Sequence, residues 1–155
     1  MGIKIYMQFG DIKGDVTEIN HKGWVELNSS SYASERSVKQ ETGSSNRSVS
    51  KPSVLSLELT KQMNLSTQGV FKEAHYGTGT DVCIIDFTDD KGIFMRYNLH
   101  KAILSDYHVV AISGSDRPHE TFKLSFTVID TRYTPTDGTG SPSSAGYDIS
   151  KGTNL

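Results

Sequence analysis

Leu65-Ser66-Thr67-Gln68-Gly69-Val70-Phe71-Lys72-Glu73-Ala74-His75-Tyr76-Gly77 is the one stretch of the chain with a complete helix grammar, and its isolation decides the fold. Ser66 is placed to accept hydrogen bonds from the free amides of a first helical turn. Leu65 and Val70 occupy the two positions of a hydrophobic staple. Gly77 supplies a left-handed stop. A helix of about ten residues is shorter than the ~12–15 that are marginally stable alone, and Gly69 weakens it further. It must therefore rest on something. Val70, Phe71 and Ala74 share one face, and everything on either side reads as strand or loop. The expected fold is mainly β, an antiparallel β-barrel or sandwich with one short docked α-helix and a long extended loop.

Outward from the helix, the strand pattern is regular. Ile3, Ile5, Met7 and Phe9 alternate with Lys4, Tyr6 and Gln8, giving a first strand with one buried face. Turn chemistry at residues 10–15 leads to a second strand, in which Val25 and Leu27 face one way and Trp24 and Glu26 the other. That strand bends near Asn28, where the apolar pattern stops. Leu55, Leu57 and Leu59 alternate with Ser56, Glu58 and Thr60 in a third strand. Residues 81–88, the turn Asp89-Asp90-Lys91-Gly92 and residues 93–99 form a hairpin. Strand continues over 101–112, with a break at Ser105-Asp106. A loop over 113–120 precedes the alternation of Phe122, Leu124, Phe126 and Val128.

Two segments lack apolar content. Residues 35–52 are rich in Ser, Asn and charge, with Val38 and Val49 their only sizeable apolar side chains. Loops longer than ~12–15 residues are uncommon in compact domains, and here a flexible hairpin tip and a functional loop are the two readings. Residues 138–155 are rich in Gly and Ser and read as a flexible tail. One domain over 1–137 is expected, with no internal repeat.

A chain of 155 residues can bury about 68–70% of its unfolded surface, enough for one core without disulfides or metal. Its 16 Lys and Arg stand against 18 Asp and Glu, a net charge of -2. Such balance argues against a nucleic-acid groove or an anionic-membrane patch. The sequence holds no run of ~18 apolar residues of the kind that inserts into a membrane. The alternating N-terminus lacks the apolar core of a signal peptide, so export by a cleaved signal is not expected.

Catalytic chemistry is hard to find. Neither a phosphate-cradling Gly-rich motif nor a dinucleotide fingerprint is present. The histidines at 21, 75, 100, 108 and 119 show no metal-ligand spacing, and Cys83 is alone, so neither a metal site nor a cofactor is expected. Cys83 on a strand reads as a buried, inert thiol, and His75 as a partner of the helix C-terminus. Asp89 with Asp90, and Asp116 with Glu120, sit in turns or loops where solvated carboxylates are the ordinary outcome. No catalytic residue is assigned.

Several short motifs nevertheless recur in one order. Asp11-Ile12-Lys13-Gly14-Asp15 followed by His21-Lys22-Gly23-Trp24-Val25-Glu26-Leu27 resembles the opening of the haemolysin-coregulated protein (Hcp) family, the tube protein of type VI secretion systems. Residues 60–68, Gly114-Ser115-Asp116-Arg117-Pro118 with Glu120, and Tyr133-Thr134-Pro135-Thr136-Asp137-Gly138 are similar to later segments of that family. Two departures stand out: Gln68 replaces a usual Pro at the helix start, and Ser30-Ser31-Tyr32 replaces a frequent Trp-Ser-Trp.

The resemblance implies a homohexameric ring that stacks into a hollow tube. A contractile sheath would drive that tube, with a spike protein, from the bacterial cytoplasm to the outside, with small effector proteins in the lumen. It also implies that the extended loop reaches the neighbouring ring, which makes Arg36, Lys39, Glu41, Arg47 and Lys51 inter-ring candidates. Ser31 becomes the candidate for a lumen contact with cargo. Ser31 shares strand parity with Val25 and Leu27, so that role requires a bulge or bend between them. From the residues alone, a monomeric binding module using a strand edge and a small β-barrel enzyme stay open as alternatives.

Overall fold

Ile5, Met7 and Phe9 point into the core from β1 (Lys4–Phe9), the strand on which one half of the sheet is assembled. The computed structural model describes residues 2–40, 42, 43 and 45–155, with the backbone alone for Leu55 and Ser56. β1 pairs antiparallel with β2 (Val25–Leu27) on one edge and with β7 (Thr80–Thr88) on the other. β7 turns through Asp89 to Gly92 into the long β8 (Ile93–Val110), the hairpin expected from the alternating pattern.

β8 serves two parts of the sheet. Up to His100 it lies between β7 and β10 (Val128–Tyr133), and from Ile103 onward it pairs with β9 (His119–Ser125). Lys101, at φ 55°, sits between those two pairings. The expected break at Ser105-Asp106 is a register shift with Asp106 also at φ 55°. β9 pairs with β6 (Ser53–Gln62), and β6 with β3 (Ser29–Glu35). Since β3 follows β2 across a bend at Asn28, the strands can be traced from β8 through β7, β1, β2, β3, β6 and β9 back to β8. Leu57, Leu59, Val25, Ile85, Leu99, Phe122 and Leu124 fill the interior of that circuit with Met7 and Phe9.

The helix α1 (Thr67–Tyr76) docks through Val70, which is fully buried. Three details differ from the sequence expectation. Leu65 is 67% exposed, so the staple with Val70 is not made. Ser66 makes no side-chain cap; its hydroxyl donates instead to Asn64 Oδ1 at 2.6 Å. Gly77 ends the helix with an extended backbone, φ -72° and ψ 153°, not a left-handed one. Gly69 does more than soften the helix. A Cβ there would lie 2.9 Å from Ile12 Cγ2, so the missing side chain lets the helix settle on the loop after β1.

The reading of 138–155 as a flexible tail is corrected over much of its length. β11 (Ser143–Asp148) pairs with β10 along all six of its residues, and β12 (Thr153–Asn154) pairs with β11. Ladder hydrogen bonds and the packing of Tyr147 and Ile149 against the core hold this segment in spite of its Gly and Ser content. Ile3, grouped with the core face of β1, is 55% exposed because it precedes the paired part of the strand.

Candidate functional site

The loop between β3 and β6 folds into a projecting arm. β4 (Val38–Gln40) and β5 (Arg47–Val49) pair only with each other, and all six residues are exposed. Arg36, Lys39, Arg47 and Lys51 are exposed with them, while Glu41 lies outside the described residues. Val38 stands directly opposite Val49, and they are 58% and 49% exposed. At the base, Ser50 N donates to Ser37 O at 2.9 Å and Ser37 N to Ser50 Oγ at 2.8 Å, which pins the two ends of the arm together.

Ser31 lies on the outer surface of β3. The bend it requires is present: Val25 and Leu27 point inward, Asn28 breaks the strand, and from there Ser30 and Tyr32 turn inward while Ser29 and Ser31 turn outward. Asn28 N donates to Thr60 O at 2.6 Å, fixing the switch. Ser31 is paired with Glu58 on β6, and Glu58 with Lys123 on β9. Ser31 and Glu58 are exposed, and Lys123 reaches Asp106 at 3.6 Å. This is a wet, polar sheet face. Tyr32 packs against the core with its ring 6.3 Å from Tyr97.

The ionisable groups that are buried serve the framework. Lys61 and Glu120, both fully buried, form an ion pair beneath α1. The Glu120 carboxylate also accepts Thr67 Oγ1 at 3.0 Å and the Tyr107 hydroxyl at 2.5 Å. Burial, and then the carboxylate beside it, pushes the Tyr107 phenol well above its ordinary range. Glu120 thus departs from the expected solvated loop carboxylate, because it opens β9 facing inward; Asp116 is exposed.

A second network crosses the outside of the sheet. His21 is 2% exposed, with Nδ1 on Glu18 and Nε2 at 2.8 Å from Asp86 Oδ2. Arg96 grips Asp86 through Nε at 2.7 Å and Nη2 at 2.8 Å. The His21 ring lies 4.7 Å from Tyr6 and 4.6 Å from Trp24, so residues 10–24 are clasped to the sheet. The hydrogen bond from His21 holds the Glu18 carboxyl below its usual value. Sequence reading missed both networks, because the contacts that tie each together across strands, Lys61 with Glu120 and His21 with Asp86, join residues far apart in the chain; the polar Lys61 within an otherwise alternating strand was the one available signal.

Other candidates resolve simply. Cys83 is fully buried, and burial alone pushes its thiol far above the reactive range. His75 Nδ1 lies 2.8 Å from Phe71 O on the last turn of α1. His100 faces Asp130 at 3.1 Å. Among the described residues no group of three or more His, Cys, Asp or Glu side chains is arranged to hold a metal ion, and no helix is long and apolar enough to cross a membrane.

Comparison with known proteins agrees with this geometry. A family model described as "Type VI secretion system effector, Hcp" matches residues 6–133. No curated protein matches the chain. A solved structure described as a type six secretion system protein is 22% identical, with a TM-score of 0.89 over 99% of this chain and 100% of its own. Hcp1 from Salmonella typhimurium is 20% identical, with a TM-score of 0.83 over all of both chains. A type VI secretion system effector from Yersinia pestis is 16% identical, with a TM-score of 0.75 over 94% of this chain and 99% of its own. At such identities the structures speak to the fold, and the family match speaks to the rest. The Hcp family consists of structural, non-enzymatic tube proteins that form hexameric rings and are secreted by the type VI system. With the match running from β1 to the end of β10, and with helix, arm and Ser31 strand all inside it, this chain belongs to the Hcp family and is a tube subunit of type VI secretion.

Proposed function

We propose that the chain closes into a hexameric ring and that the arm of residues 36–52 makes the axial contact that stacks one ring on the next. The observation that carries this is the arm itself, a two-stranded hairpin whose six strand residues are all exposed and which, among the described residues, pairs with no other strand. An isolated two-stranded hairpin is marginal in water, so a partner surface would complete it. A lateral contact that closes and an axial contact that repeats are the two heterologous interfaces a tube requires. Tubes of this kind would be driven out of the bacterial cytoplasm with a spike protein by a contractile sheath.

Replacing residues 38–49 with a short Gly-Ser linker tests the division of labour. The expected product runs at ring mass on size-exclusion chromatography and shows no tubes by electron microscopy. Loss of the rings themselves would overturn the proposal.

The second part of the reading places Ser31 on the lumen wall, in contact with small effector proteins. Its support is the outward turn of Ser31 after the Asn28 bend, on a face whose neighbours are polar and exposed. Ser31→Gln is expected to reduce effector retention and leave tube export intact. Unchanged retention would remove Ser31 from the lumen.

A further inference from the structure

The strand face that carries Ser31 holds one charge that its own chain leaves unanswered. Ser31 pairs with Glu58 and Glu58 with Lys123, so the three stand in a row across β3, β6 and β9, neighbouring Cβ atoms about 5 Å apart. Lys123 faces Glu58 across the strands, but its Nζ lies 3.6 Å from Oδ2 of Asp106, at the register shift of β8. Glu58 is exposed and makes no hydrogen bond or ion pair among the described residues. The next row is Thr60, Thr121 and His108, and His119 follows on β9. With histidine counted as neutral, one lysine cannot offset two carboxylates, and the strip keeps a net negative charge centred on Glu58.

A single carboxylate on an open strand surface holds a cation weakly, because water and salt screen it. A ring changes that. Hexameric assembly, which the family forms, repeats the strip around one axis. On a lumen wall the copies of Glu58 face a common enclosed space, where charges of one sign reinforce each other. Beside them the Ser31 and Thr60 hydroxyls can donate or accept hydrogen bonds. Such a wall fits the Lys and Arg side chains of a folded passenger and opposes carboxylates brought against it.

We infer that Glu58, set beside Ser31, selects passengers by charge, so that the wall takes effector proteins presenting Lys or Arg and turns away acidic ones. The inference rests on the reading that places Ser31 on the lumen wall. The probe is fluorescent octalysine, with octaglutamate as its counterpart, titrated into rings of the full chain. Wild type is expected to bind octalysine and not octaglutamate. Glu58→Gln should weaken octalysine binding at least about tenfold. Lys123→Gln frees Asp106 from its cation and should tighten binding about threefold. Asp90→Asn and Lys22→Gln change the charge of the ring by the same amounts at exposed positions outside the strip, and each should stay within about twofold of wild type. A Glu58→Gln ring that binds as wild type does, an Asp90→Asn ring that weakens as much, or a Lys123→Gln ring that binds no tighter would overturn the charge assignment and leave Ser31 on the wall. A Ser31→Gln ring that retains effectors as wild type does would instead remove the wall, and this inference with it.

Discussion

The two buried ionic networks do the same mechanical work under different exposure. Beneath α1, Lys61 and Glu120 are both sealed from solvent, and Thr67 and Tyr107 complete the carboxylate's partners. On the outside of the sheet, Asp86 is equally buried, but its network ends at Glu18 and Arg96, whose side chains are 38% and 36% exposed. The sealed network ties the helix to β6 and β9; the open one clasps residues 10–24 to β1 and β7. A sealed pair feels little screening from salt, whereas an open one is reached by ions and protons. The attachment of the helix should therefore respond less to salt than the clasp does.

Breaking the sealed pair should have the larger effect. Lys61→Met leaves Glu120 buried without its cation, and removing one partner of a buried pair costs about 3–5 kcal/mol. The double variant Lys61→Met with Glu120→Leu is expected to recover most of that loss, since an apolar pair of similar volume needs no desolvation of charge. Urea denaturation of the three proteins measures both steps. A single variant that costs less than ~1 kcal/mol would mean the pair is not desolvated and would erase the contrast with the clasp.

Arg96→Lys probes the open network at its strongest link. The guanidinium makes two hydrogen bonds to Asp86, while an ammonium is a point charge that cannot reproduce the fork. Asp86 keeps His21 as a partner, so the expected cost is about 1–2 kcal/mol. In 1 M salt this cost should shrink, and that of Lys61→Met should not. Equal salt dependence of the two would mean that exposure does not distinguish them.

How much of this was legible beforehand follows the range of the interactions involved. β1 and the hairpin of β7 and β8 were readable because alternation is local: Met7, Phe9 and Ile85 announce their faces within a few residues. The helix was readable for the same reason, although its cap was not. Ser66 turned to Asn64, a local alternative to capping that its sequence also allows, and Leu65 stayed in solvent. β11 was missed since its residues bury little; the edge of β10 holds it through backbone bonds that carry no side-chain signature. At the candidate surfaces the parity conflict of Ser31 could be stated from sequence, and the Asn28 bend that resolves it could only be required.

The smallest expected effect is also the one that isolates the clasp. The Glu18 carboxyl is held below its usual value, chiefly by the hydrogen bond from His21, with the Asn20 backbone contributing. A carboxyl whose folded value is depressed stabilises the fold above its unfolded value and loses that contribution as pH falls through the folded value. Glu18 is part-exposed, so solvent screening limits the gain to the ~0.2–1 kcal/mol of a surface pair. Glu18→Gln should therefore melt below wild type at pH 7, and the gap should close as pH drops below about 4.5. A gap that persists unchanged at pH 3 would show that Glu18 acts by packing and not by charge. The clasp would then be as closed to protons as the pair beneath the helix.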